Sequence, residues 1–215
     1  MKFETVFFDF DGVLLDTLEA KGRAFQKVFS RFGGKVADQV YDFHLNHGGL
    51  NRKQKIQECH RRFVGSEISE ELLNEMLSLL ATEMQNQLFS CVPVSGALQF
   101  MKSHREAGGR AWVVSAAPEN EIKDLCVHFG YAPYLEGIHG FPNPKSEQMK
   151  KVLAQFSLNH KNCVMIGDAQ EDLKAALENQ VPFLLRKTPY STFAKEYQGL
   201  SIADFNSIQQ ALEKL

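Results

Sequence analysis

The stretch Thr5-Val6-Phe7-Phe8-Asp9-Phe10-Asp11-Gly12-Val13, close to the start of a 215-residue chain, decides how the rest is read. Its β-branched and aromatic residues predict a short buried strand over Thr5–Phe10. Two carboxylates, Asp9 and Asp11, close that strand two positions apart, so an extended backbone points both to the same side. The carboxyl end of a strand is where open α/β sheets bind ligands. Adjacent, poorly solvated carboxylates repel one another unless a cation or a shared proton intervenes. Mg2+, a hard cation that takes oxygen ligands and few protein carboxylates, suits such a place. An EF-hand does not fit, because Val13 stands at a ligand position and no acidic loop follows. The competing reading is a pair of surface acids in a turn.

Outward from that strand, apolar runs recur at Ala111–Ser115, Cys163–Gly167 and Val181–Leu185, with a shorter one at Gly137–Gly140; Pro182 suggests that the Val181–Leu185 strand lies at an edge. Helical patterns lie between them at Ser95–Ala107, Pro118–Phe129, Ser146–Phe156, Asp172–Asn179 and Phe205–Leu215. Strands alternating with helices imply βαβ units and a parallel sheet covered on both faces. Residues 17–91 break the rhythm, with helical stripes only. Leu18, Phe25, Val28, Phe29 and Phe32 share one face; Ile56, Cys59, His60 and Phe63 mark a second helix. Ser69, followed by Glu70 and Glu71, caps a third, with Leu72, Leu73, Met76, Leu77, Leu80 and Met84 on one stripe. The expected domains are therefore residues 1–16 with 92–215 as an α/β core, and residues 17–91 as a helical insert.

The other strand ends gather chemistry at the same edge. Ser115-Ala116-Ala117 precedes Pro118, read as the first helical residue, which puts Ser115 and nearby amides at a helix N-terminus fit for an anion. Lys145 opens the next helix. Gly167-Asp168, with Asp172 four residues on, offers further carboxylates. Singly, Ser115 reads as a cap and Lys145 as a solvated loop residue. Together they describe a site with acids for a metal, a hydroxyl and an ammonium for phosphate, and one carboxylate left to react.

Composition sets the outer bounds. Apolar residues make up 44% and charged residues 23%, and 24 basic against 26 acidic side chains give a net charge of −2, so nothing global calls for nucleic acid or an anionic membrane. No apolar run exceeds four residues, too short for a membrane span, and Glu4 and Asp9 interrupt the N-terminal run too early for a signal peptide. Cys59, Cys91, Cys126 and Cys163 form no CxxC pair; Cys126 and Cys163 read as buried thiols, and a reducing, cytoplasmic setting is expected.

With these residues in view, the chain resembles the haloacid dehalogenase-like superfamily, in its phosphoglycolate phosphatase and β-phosphoglucomutase branch. The matching segments are FDFDGVLLDT (8–17), VVSAA (113–117), Lys145 and IGDAQED (166–172), and the resemblance covers the whole chain. Asn143-Pro144-Lys145-Ser146-Glu147 departs from the Lys-Pro-x-Pro common in that branch. The resemblance implies a Rossmann-like three-layer parallel sheet core with an inserted all-α helical cap. It also implies a nucleophile at Asp9 that becomes an aspartyl-phosphate, and an acid–base at Asp11. Mg2+ would be held by Asp9, the Asp11 backbone carbonyl and Asp168, and phosphoryl oxygens by Ser115, Ala116 and Lys145. Asp172 would orient Lys145 or a metal-bound water. Members that cleave C–halogen or C–P bonds lack an acid at the Asp11 position, so its presence implies C–O–P chemistry. Asp16 reads as a structural anchor where the insert begins.

The insert is expected to select the substrate. His47, Gly48 and Gly49 lead into Arg52, Lys53 and Lys55; Arg52, His47 and Gly49 are the candidate substrate contacts, with Arg52 on a remote anionic group. The alternative for Arg52 is an ordinary helix-start arginine. His44 and His47 have metal-ligand spacing but no third ligand, and read as pocket-lining or surface residues; Arg61 and Arg62 read as a solvated face. The expected activity is a Mg2+-dependent phosphatase of a small phosphorylated metabolite, in a monomer or weak homodimer with no nucleic-acid or membrane partner. A sugar phosphomutase, or a catalytically silent binding protein on the same fold, are the alternatives.

Overall fold

The computed structural model describes residues 2–46, 50–189 and 193–215. The chain divides into two compact units, Met1–Asp16 with Val92–Leu215, and Thr17–Cys91. In the first unit, β1 (Thr5–Phe8), β2 (Arg110–Pro118), β3 (Gly137–Phe141), β4 (Cys163–Gly167), β5 (Phe183–Arg186) and β6 (Ser201–Ile202) form one sheet in the order β3-β2-β1-β4-β5-β6. All its pairings are parallel. Phe8 lies opposite Val113 of β2 and Ile166 of β4, so β1 sits between the strands that lead to Ser115 and Asp168. That register brings the three strand ends side by side.

The second unit contains α1 (Leu18–Phe29), α2 (Gly34–Asn46), α3 (Arg52–Cys59) and α4 (Glu70–Leu88), with a π-helical turn at His60–Val64. Ser69 caps α4, its hydroxyl accepting from Leu72 N at 3.2 Å. The buried stripe of α4 runs Leu73, Met76, Leu80, Met84 and Leu88, while α1 buries Phe25, Val28 and Phe29. The first unit continues with α5 (Ala97–Glu106), α6 (Glu119–His128), α7 (Lys145–Gln155), α8 (Gln170–Glu178), α9 (Phe193–Glu196) and α10 (Ile208–Lys214).

Strand alternation sorts the core into two layers. One sheet face presents Phe7, Trp112, Val114, Met165, Phe183 and Leu185 to Met149, Val152 and Leu153 of α7 and Ala175 and Ala176 of α8. The opposite face places Phe8 against Phe100 of α5 and Phe205, with ring centroids 6.1 and 6.0 Å away. The sheet is therefore sandwiched between helices, a Rossmann-like three-layer core. Among the described residues no helix is long and apolar enough to cross a membrane.

The structure corrects several local expectations. β1 stops at Phe8, although Asp9 N still donates to Ile166 O at 2.9 Å, so Asp11 lies in the turn beyond the strand. β2 runs on to Pro118, opposite Phe141, after a register shift between Val114 and Pro118; Pro118 is the last strand residue and the N-cap of α6 instead of its first helical residue. Pro182 does not mark an edge, because β6 pairs outside β5 at Leu185 and Arg186. Pro182 precedes that pairing, and its carbonyl accepts from Met165 N at 2.8 Å. Cys126 and Cys163 are buried, and so is Cys59; burial pushes the Cys126 and Cys59 thiols up to about 12.

Phe8 is fully buried at the centre of the sheet and touches two aromatic partners. Phe8→Ala should cost ~3–5 kcal/mol of stability. A urea unfolding curve checks this, and a loss below ~1 kcal/mol would mean that the layer closes over the gap.

Candidate active site

The turn after β1 is built around one carbonyl. Phe10 O accepts from Val13, Leu14 and Leu15 N at 3.3, 2.9 and 3.2 Å, and Gly12 N donates to Leu15 O at 2.8 Å. Gly12 takes φ +74°, and a Cβ there would lie 2.1 Å from Asp168 Oδ2. Only glycine therefore both makes the turn and lets the Asp168 carboxylate come against it. Gly167 on β4 also leaves no room for a Cβ, which would meet Asp172 Cβ at 2.2 Å, so it lets Asp172 fold back against its own strand end. The Gly12 contact joins the loops after β1 and β4, and the Gly167 contact closes the second loop on itself.

Inside this contact Asp9, Asp168 and Asp172 bring carboxylate oxygens within 4.8 Å of one another. Asp9 and Asp172 are buried. Lys145, the first residue of α7, reaches both: its ammonium lies 2.9 Å from Asp9 Oδ2 and 2.6 Å from Asp172 Oδ1. The second Asp172 oxygen accepts from Asp168 N at 3.2 Å and Ala169 N at 3.1 Å, which ties the start of α8 to the same group. Asp9 Oδ1 accepts from Phe10 N at 2.7 Å.

Burial, moderated by Lys145 and reinforced by Asp172 and Asp11, raises the Asp9 carboxyl to about 7. Burial, and then the charge of Asp9, holds Asp168 well above the usual carboxylate range. For Lys145 burial acts downward, but Asp172 and Asp9 overcome it and the ammonium is held charged. Within the cluster one ammonium faces three carboxylates, which leaves negative charge that oxygen donors at this spacing can give to a divalent cation. The donor set therefore fits a hard metal ion, and a bound cation would draw Asp9 back toward its ionised form.

Ser115 is buried on β2, its hydroxyl accepting from Ala117 N at 3.2 Å, and Ala116 beside it is exposed. Both lie several residues before α6 begins at Glu119, so they belong to a strand extension, and the helix N-terminus that was expected there lies further on. Asp11 is partly exposed, and its carboxylate is not one of the close trio.

In the second unit Arg52 is the first residue of α3, behind a capping box in which Asn51 and Gln54 exchange side-chain and backbone hydrogen bonds. His47, Gly48 and Gly49 lie outside the described residues. Within the basic stretch that Arg52 begins, Lys55 is buried, 3.2 Å from His44 Nδ1 and 5.7 Å from the Phe25 ring centroid. Burial pushes its ammonium down to about 8. His44 is likewise buried, its ring 5.1 Å from that of Phe25, so it is not a surface histidine. Arg61 and Arg62 are exposed and pair with Glu58.

Two residues of this region escape sequence reasoning. Arg186, at the end of β5, donates to Gly12 O at 3.0 Å, to both oxygens of Asp16 at 2.5 and 3.1 Å, and to Ala203 O at 3.1 Å. Its only sequence signal is a charge closing an apolar run. Gln148, on α7, reaches the carbonyls of Ser115 on β2, Gly140 on β3 and Asn143 in the loop between β3 and α7. Its signal was a polar residue one turn before Val152, on the apolar stripe of its helix.

A family model described as haloacid dehalogenase-like hydrolase matches residues 6–185. The chain belongs to the haloacid dehalogenase-like hydrolase family. Solved structures share the hydrolase fold at low identity. A predicted phosphoglycolate phosphatase from Haemophilus somnus 129PT superposes with a TM-score of 0.83 at 16% identity, over 98% of each chain. CbbY from Rhodobacter sphaeroides, in complex with phosphate, gives 0.74 at 17% identity over 98% of this chain and 99% of its own. A haloacid dehalogenase-like family protein from Streptococcus pneumoniae gives 0.70 at 16% identity over 94% and 93%. No curated protein matches the chain significantly.

Gly12→Ala tests the close approach in this hydrolase. The Asp168 carboxylate can swing away, so the stability cost should be the ~1–2 kcal/mol of left-handed strain. Gly65→Ala, at φ +87° with open space around it, should cost about the same. Hydrolytic activity should fall ~10-fold or more for Gly12→Ala alone, as expected when a reacting group is misplaced. Equal activities would show that the spacing of Gly12 and Asp168 is immaterial.

Proposed function

We propose that this hydrolase is a Mg2+-dependent phosphatase that cleaves a small phosphorylated metabolite through an aspartyl-phosphate on Asp9. The observation that carries the reading is Lys145 lying between Asp9 and Asp172, with Asp168 in the same trio, at the carboxyl ends of neighbouring parallel strands. In CbbY, whose fold is similar, structures with phosphate and with xylulose-(1,5)bisphosphate support a small phosphorylated ligand.

Asp9 is the nucleophile. One carboxylate oxygen attacks phosphorus, the bond from phosphorus to the ester oxygen breaks, and Asp11 gives its proton to the leaving alcohol. Water then attacks the phosphorus of the aspartyl-phosphate while Asp11 takes up a proton. Inorganic phosphate leaves, and the Asp9 carboxylate is restored. Lys145 and the hydroxyl and amides around Ser115 and Ala116 hold the phosphoryl oxygens as charge moves across the transition state. Asp172 keeps Lys145 aimed, since one of its oxygens is on the ammonium and the other on the Asp168 and Ala169 amides. Asp9, the Asp11 carbonyl and Asp168 are the residues to hold Mg2+, whose charge offsets the repulsion between a phosphate dianion and an anionic nucleophile. Residues 17–91 serve substrate selection, with Arg52 binding an anionic group of the substrate other than the reacting phosphate. A cytoplasmic setting belongs to the same reading.

Asp9→Asn should lower turnover of para-nitrophenyl phosphate by ~10⁴-fold or more, as for a residue acting within a catalytic unit. Retention of a tenth of the wild-type rate would remove Asp9 as nucleophile. In excess EDTA the wild type should be inactive and recover with Mg2+. Full activity in metal-free protein, verified by elemental analysis, contradicts the metal requirement.

Arg52→Ala should reduce kcat/KM by ~10–100-fold on a substrate with a second anionic group, the scale of a lost charge-assisted hydrogen bond. Para-nitrophenyl phosphate should be affected much less. Equal losses in a phosphometabolite panel would make Arg52 a support for the fold of α3.

A further inference from the structure

Gln148 is the third residue after Lys145 on α7 and is buried. The two N–H groups of its side-chain amide are shared among three carbonyls, Asn143 O at 2.7 Å, Gly140 O at 2.9 Å and, as the longest contact, Ser115 O at 3.4 Å. Its backbone N–H donates to Pro144 O at 3.0 Å. Three acceptors fix the orientation of the amide, since turning it over would set its oxygen against three carbonyls. In this orientation Oε1 is buried with no hydrogen-bond partner among the described residues. The donor end is thus satisfied at the expense of the acceptor end, which marks the carbonyls as what the side chain is there to hold.

Those carbonyls belong to two different segments of the chain. Ser115 lies on β2, beside Ala116, while Gly140 and Asn143 belong to the end of β3 and the loop that delivers Lys145. The two segments are pressed together at Gly140, where a Cβ would lie 2.6 Å from Ala117 O and 2.6 Å from Glu119 Cα. Gly140 N donates to Glu119 Oε2 at 3.3 Å. One amide therefore spans the junction between the segment bearing Ser115 and the helix start bearing Lys145.

We propose that Gln148 is a positioning residue for phosphoryl binding: it sets the distance between the Ser115–Ala116 strand end and the Lys145 ammonium by holding the carbonyls of both segments. This rests on the phosphatase reading of the site. Gln148 touches none of the reacting atoms and acts through Lys145 and Ser115.

The test is a double-mutant cycle on para-nitrophenyl phosphate, with inhibition by inorganic phosphate measured alongside, below the unfolding midpoint of every variant. Gln148→Met keeps the length of the side chain and removes its donors. It should lower kcat/KM by ~10–100-fold, the scale of a sub-ångström to ångström misplacement of binding groups. Inhibition by phosphate should weaken in step. In the Lys145→Ala background the same substitution should cost less than ~3-fold, because the group it positions is gone. Equal losses in the two backgrounds would make Gln148 a structural residue and overturn the proposal. So would a folded Gln148→Met protein with wild-type kcat/KM and phosphate inhibition. If Gln148→Met does not fold, Gln148→Asn, one methylene short of the far carbonyls, is read by the same criteria, and failure of both to fold also overturns it. A wild type inactive on every phosphate ester tried overturns the phosphatase reading and this inference with it. An active wild type with an unaffected variant overturns this inference alone.

Discussion

The ammonium of Lys145, held 2.9 Å from Asp9 and 2.6 Å from Asp172, is the contact on which the arrangement of the strand ends depends. Without a positive charge there, burial and mutual repulsion would act unopposed on three carboxyl groups with oxygens within 4.8 Å of one another. Asp172 completes the arrangement by capping α8, so the same side chain orients the lysine and fixes the loop that carries Asp168. The cation thus joins β1, α7 and α8, elements far apart in sequence. It does not cancel the charge, and the remainder is what makes the cluster suited to a divalent ion and a phosphate ester.

Close approach is the second constraint. Gly12 and Gly167 each occupy a place where a Cβ would overlap an aspartate of the cluster. The acids are therefore compressed by the backbone as well as gathered by it, and the elevated proton affinity of Asp9 and Asp168 follows from burial and from the charges of their neighbours. A site of this kind is costly for the fold, and the surrounding sheet supplies the compensation. Phe8, Val113, Val114 and Ile166, adjoining the site on β1, β2 and β4, are all fully buried.

Much of this is legible in the sequence because it is written locally. The TVFF and CVMIG runs become β1 and β4, and the latter keeps its expected bounds. Asp9, Asp168, Asp172 and Lys145 stand next to turn or helix-start signals and come together as strand-end reading anticipates. What local pattern could not supply depends on partners distant in the chain. β2 extends to Pro118 because Phe141 pairs with it across a register shift. The two-residue β6 has no periodicity to detect and exists only as an addition to β5. Lys55 stands in a basic stretch and His44 reads as pocket-lining or surface, yet each finds burial beside Phe25 on another helix. Gln148 acts through backbone carbonyls, and Arg186 through two carbonyls besides Asp16; carbonyls carry no residue-type signature in the sequence.

Arg186 also gives the molecule an order in time. Its guanidinium closes on Gly12 O, on Asp16 and on Ala203 O, so the first turn of the polypeptide is finished by a side chain made 174 residues after Gly12. A ribosome adds ~5–20 residues each second, so the nascent chain waits on the order of ten seconds or more between making the two halves of this clamp. Lys145 and Asp168 also come late. During that interval Asp9 and Asp11 stand at the end of a strand without their β4 neighbour. The turn after β1 can take its final shape only once β5 and Arg186 have been made, so the site is completed from partners that follow it in the chain.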